Sequence, residues 1–142
     1  MTKTAADKAK EFYLDDGYNC AEASWLGLSQ DLDKKEQALG VKMVSGFGGG
    51  ATVGSLCGAL SGAIMGIGRW YGRELGGPRS EEAKNLTKAL VDAFVAEYGS
   101  LDCQGIKPKS DDYRTKCAEY VAFAVRKAEE LMDQGASDDD CG

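Results

Sequence analysis

The sequence predicts an all-α protein, a single-domain bundle of five or six helices with a glycine-rich central helix. Three observations carry this. Apolar residues recur at spacings of three and four, capping signatures precede three of the recurrent stretches, and no segment alternates apolar and polar residues as a strand would. At 142 residues the chain is one domain's length, enough to bury about two thirds of its unfolded surface without covalent staples. The expected division is a helical domain over 1–134 and an acidic, flexible tail over 135–142.

A first helix is predicted from Thr4 to Asp16, with Ala5, Ala9, Phe12 and Tyr13 near one face and Gly17 as its stop. Asn19 with Glu22 three residues on forms a box-like cap, which puts Cys20 at the first position of the second helix. Asp33 and Glu36 repeat the signature for a third helix, ending at the loop Gly46-Phe47-Gly48-Gly49-Gly50. The fourth is predicted from Val53 to Leu75, stopped by Gly76-Gly77-Pro78. Ser80 caps a fifth, whose stripe runs from Ala83 to Val95 and ends near Tyr98-Gly99. An irregular stretch then carries Cys103 and Pro108. The last helix starts around Ser110 to Asp112 and presents Cys117, Tyr120, Val121, Ala124, Val125 and Ala128.

Composition excludes several functions. A net charge of −6 and the lack of a concentrated basic face argue against a grip on nucleic acid or on an anionic membrane surface. The amino terminus has no apolar run behind its charges, so the cytoplasm is the expected address. The uncharged run from Met43 to Gly68 is long enough to raise a membrane question, but glycine and serine dilute it. A helix buried all round in a bundle explains it better. The loop Gly46–Gly50 lacks the Gly-Lys-Ser/Thr ending of a phosphate loop, and no βαβ unit supports a dinucleotide site.

The chain has five cysteines and no histidine. Without imidazole, a Ser/His triad, a Cys/His nucleophile and a mixed zinc site are excluded, and the available chemistry is largely that of sulfur. Cys20 and Cys57 are both expected near helix starts, where unpaired N–H groups favour a thiolate and lower the thiol pKa. Cys103 sits in a polar loop where packing gives little motive for a thiol. Cys117 follows on the final helix. No Cys-x-x-Cys pair occurs, so any site must be assembled by the fold from separate helices. The alternative for each cysteine is a small buried hydrophobe.

Gly46, Gly50, Gly54, Gly58, Gly62 and Gly66 recur every fourth residue. Inside a helix each costs about 1 kcal/mol relative to alanine, so close approach of another body is the expected compensation. Two readings stand: a second helix packed backbone to backbone, or a cofactor lying against Gly54 and Gly58 beside Cys57. The same groove makes a homodimer seam conceivable. Tyr18 is placed to shield such a site from water.

Tyr18-Asn19-Cys20-Ala21-Glu22-Ala23, the loop Gly46–Gly50, the segment Gly54-Ser55-Leu56-Cys57-Gly58-Ala59-Leu60-Ser61-Gly62, and then Cys103 and Cys117 resemble the family of redox-active proteins named for its C…GCAxxG…C…C pattern. The resemblance covers nearly the whole chain. It implies four family cysteines, Cys20, Cys57, Cys103 and Cys117, and leaves Cys141 outside the site. The family is also similar to the non-haem part of split-Soret cytochromes, which implies an iron–sulfur centre at these positions; the haem-attachment motif Cys-x-x-Cys-His is absent here. The leading expectation is therefore a two-iron cluster held by the four cysteines, passing single electrons to or from a redox partner protein. Two others stand beside it: a metal-free dithiol cycling with a disulfide, and a structural module tied by zinc or by packing alone.

Overall fold

The computed structural model describes residues 3–137, and among these it holds seven α-helices and no strand. The acidic tail over 138–142, with Cys141, lies outside the described residues.

Helix α1 (Ala5–Leu14) begins at Thr4, whose hydroxyl accepts from the Asp7 N–H while the Asp7 carboxylate accepts from the Thr4 N–H. Beyond it Gly17 takes φ +80°, a left-handed conformation that suits the predicted stop. In α2 (Cys20–Leu28) the reciprocal Asn19/Glu22 cap forms, with donor–acceptor distances of 2.8 and 2.9 Å. Asp33 caps α3 (Lys34–Val44) by accepting from the Glu36 N–H. Ser80 caps α5 (Glu81–Tyr98), which ends on left-handed Gly99. These starts follow the sequence signatures because each cap is a contact between residues three apart.

Three predicted features differ. The stretch around Cys103 is not wholly irregular: Cys103–Ile106 closes one helical turn, α6, and raises the helix count from the expected five or six to seven. The long fourth helix is shorter at both ends. Helix α4 spans Gly58–Tyr71, not Val53 to Leu75. Upstream of it Gly49, Gly50, Ala51, Thr52 and Gly54 all have positive φ, so the chain there winds left-handed and cannot continue a right-handed helix. Downstream, Gly72 donates to the Gly68 carbonyl at 2.7 Å and then turns extended. The last helix, α7, runs over Tyr113–Ser137, past the predicted tail boundary at 135.

The glycine stripe is thereby divided. Only Gly58, Gly62 and Gly66 lie on α4 in the predicted spacing, and all three face α2 of the same chain. A methyl at Gly66 would stand 2.6 Å from Leu28 Cδ1, one at Gly62 would meet the Ala21 carbonyl, and one at Gly58 would meet the Cys20 sulfur. The helix-packing reading holds at these three turns. At these turns the groove is filled by α2 of the same chain.

Helix α2 is the more central element. It buries seven of its nine residues and packs against α1, α3, α4 and α7. The main core gathers Leu60, Ile67, Leu90, Phe94, Val121 and Val125, all fully buried. No helix among the described residues is long and apolar enough to cross a membrane.

Candidate sulfur site

Each of the four cysteines comes from a different place in this frame. Cys20 is the first residue of α2, Cys57 is the residue preceding α4, Cys103 opens α6, and Cys117 lies in the second turn of α7. Backbone contacts between distant segments set two of them. Leu56 and Asp102 pair as an antiparallel bridge, the Cys57 N–H donates to the Leu101 carbonyl at 2.8 Å, and the Cys103 N–H donates to the Ser55 carbonyl at 2.6 Å. The left-handed turn presses against this clamp, for a methyl at Gly50 would lie 2.7 Å from Cys103 Cβ and 2.5 Å from the Ser55 nitrogen.

All four thiols are free, and all four line one enclosed cavity of about 20 Å³. Cys57 is buried and the other three are half-buried. Gly58, Ile106, Lys107 and Tyr120 complete the wall. Such a space holds about one water-sized body. Gly54 lies elsewhere: a methyl there would strike the Gln104 side chain, whose amide donates to the Val53 carbonyl at 3.2 Å, and Gly54 does not line the cavity. Tyr18 is not in the lining either. It packs edge-on against Phe12, with ring centroids 6.1 Å apart.

The site's closing residue is Tyr120, which the sequence reading assigned only to the apolar stripe. Its ring is wedged against Tyr98 at 4.6 Å and Phe94 at 6.0 Å, and its hydroxyl donates to the Ile106 carbonyl at 2.6 Å. A signal for it was present, since Tyr120 follows Cys117 by three residues and so shares its helix face. Ile106 and Lys107 carried no comparable signal, because their placement depends on α6.

The acidic thiol expected at Cys57 is not what the cavity produces. Burial pushes the Cys57 thiol up to about 12, and its neighbour Cys20 adds to the rise; the N–H groups of Ala59 and Leu60 at the start of α4 pull the other way and lose. The helix start acts on Cys57 as expected, but removal from water outweighs it. Burial also raises Cys103 and Cys117, with Cys20 the next cause in each case. Lys107 draws both down, as does a Tyr13 hydrogen bond for Cys117. Cys20 is thus the common neighbour of the other three.

The donor chemistry suits a soft metal, since four sulfurs and no imidazole face one apolar space. Spacing is another matter. Among the described residues no group of three or more cysteine, aspartate or glutamate side chains stands in an arrangement that could hold a metal ion. Binding one would require the four side chains to rearrange from the positions seen here.

The fold and the site together define an all-helical protein that gathers four free thiols around one small apolar cavity. Residues 18–131 match the family described as "Putative redox-active protein (C_GCAxxG_C_C)". The chain belongs to that family, as its cysteine pattern led one to expect. No curated protein and no solved structure matches it.

Proposed function

We propose that Cys20, Cys57, Cys103 and Cys117 hold an iron–sulfur cluster, of the two-iron kind, and that the protein passes single electrons to a partner protein. The observation that carries this reading is that four thiols from separate helices line one enclosed cavity in a chain without histidine. When bound, such a cluster supplies a one-electron couple whose potential follows from burial and nearby hydrogen bonds. The chain's own residues have distinct tasks. Ile106 and Tyr120 keep bulk water from the sulfurs, and the Lys107 ammonium offsets the negative charge that four thiolates would concentrate. Raised thiol pKa values mean that metal must displace protons on loading, so uptake is favoured by higher pH.

Protein purified and reconstituted away from air is expected to be brown, with about two iron and two sulfide per chain. Colourless protein lacking both would sink the proposal, and bound zinc without a redox response would make the site structural. A second reading, thiol–disulfide cycling without metal, is favoured by the same four free thiols and by their spacing, which is not that of a metal site. It requires the count of titratable thiols to fall on oxidation and recover on reduction.

A further inference from the structure

An apolar strip runs over the outside of α3 and the left-handed turn that follows it. Leu39 and Met43 share one face of α3, Phe47 follows in the short turn beyond it, and Val53 stands in the left-handed segment. All four are 46–71% exposed, and a run of exposed apolar side chains of this length marks a surface that meets another body. The two pieces are tied together, since the Thr52 hydroxyl donates to the Gly46 carbonyl at 3.1 Å.

Two of the four cysteines lie directly behind the strip. A methyl at Gly58 would meet both the Cys20 sulfur and, at 3.0 Å, the Phe47 carbonyl. Asn19, the cap before Cys20, donates its side-chain amide to the Ser45 carbonyl at 3.0 Å. At the other end Gly50 presses on Cys103, and Gln104 donates to the Val53 carbonyl at 3.2 Å. Few atoms therefore separate the strip from Cys20 and Cys103, and an electron crosses a protein surface fastest where the fewest atoms intervene.

The charge around the strip is opposite to that of the chain. Residues 34–54 hold Lys34, Lys35 and Lys42 against Glu36, a net +2 in a chain whose total is −6. All three lysines are exposed, and among the described residues none forms an ion pair. Glu36 is near enough to Arg69 to act on its charge. The two carboxylates at the border are engaged: Asp33 accepts from the Glu36 N–H at 2.9 Å, and Glu22 accepts from the Asn19 N–H and the Ser45 hydroxyl. A second copy would bring the same lysines against these, so like charge disfavours self-pairing of this face.

We propose that this strip is the docking surface for an acidic one-electron carrier protein, with Leu39, Met43, Phe47 and Val53 as its apolar centre and Lys35 and Lys42 as its steering charges. The choice of occupant rests on the reading of the four cysteines as a one-electron centre. The carrier is reduced by the one electron that the centre loses, and no bond forms or breaks at the surface.

The test titrates the full-length, isotope-labelled, metal-free chain with flavodoxin, an acidic carrier, or cytochrome c, a basic one, and follows the amide signals. Flavodoxin is expected to shift signals of α3 and residues 45–54, and cytochrome c to shift others. At an ionic strength of about 0.1 M, Lys35→Glu with Lys42→Glu should weaken flavodoxin binding about tenfold. Lys84→Glu with Lys88→Glu on α5 makes the same change in net charge and should weaken it less than about twofold. Met43→Gln keeps the charge and should weaken it about threefold. No saturable binding of flavodoxin, shifts outside α3 and residues 45–54, or equal losses from the two lysine pairs would overturn the proposal. So would shifts of the same signals with the chain's own concentration, which would assign the face to a second copy. Iron and sulfide content tests the centre separately. Flavodoxin bound at this face by a chain that takes up neither would end the cluster reading and leave the docking surface standing, and a brown protein whose shifts lie elsewhere would do the reverse.

Discussion

The two halves of the glycine stripe share one spacing and use opposite properties of the residue. From Gly58 to Gly66 glycine serves because it has no side chain, and α2 lies against the space that a Cβ would take. From Gly49 to Gly54 it serves because it tolerates positive φ, and the chain reverses its hand beside Cys103. The first half builds the frame and the second aims the thiols. A four-residue repeat alone does not distinguish them, since both needs select the same residue.

The largest effect should come from breaking the helical half. Gly62→Val drives a branched side chain into the Ala21 carbonyl and Ser24 Cβ and should cost about 3 kcal/mol or prevent folding, read from denaturant unfolding. Gly68→Ala is the contrast on the same helix. Nothing lies within 4 Å of the added methyl, so a gain of about 1 kcal/mol is expected from helix propensity. Equal effects of the two would mean that α2 does not approach α4 as described.

A smaller but more local effect is expected from the left-handed half. Gly50→Ala combines φ +70° with contacts on Ser55 and Cys103 and should cost about 2 kcal/mol. Its signature is faster alkylation of Cys103 relative to Cys57, measured by peptide mass mapping. A uniform change at all four thiols would show that the turn does not position Cys103 in particular.

The smallest expected effect lies in the alkaline limb. The folded Cys57 thiol keeps its proton to about 12 while the unfolded one releases it near 9.0, so the folded state binds the proton more tightly. Stability from this group is intact below 9 and lost as pH rises toward 12. At pH 10 the loss for metal-free protein is on the order of 1 kcal/mol, and Cys57→Ala should remove that part of the slope. Tyr98, raised by burial to about 12, adds a similar decline that the substitution leaves in place. An unchanged slope would place Cys57 in contact with water.

Helix starts were legible in the sequence where a cap joins near neighbours: Asn19 with Glu22, Asp33 with Glu36, and Ser80 with Ala83. The start of α4 was not, because Cys57 has no capping side chain and is held instead by Leu101, over forty residues away. The four cysteines were legible as a set. The walls around them were not, since Ile106 and Lys107 enter through the one-turn helix α6, whose residues follow no apolar period.

By itself the sequence determined the all-helical class, most helix starts, and a chemistry confined to sulfur, because these depend on side-chain identity and on contacts within a few residues. Only the tertiary structure decided where the glycine stripe breaks, that burial and not the helix start governs the Cys57 proton, and that Tyr120 closes the cavity. Each of these is a sum over neighbours brought from distant parts of the chain, and local spacing contains no record of that sum.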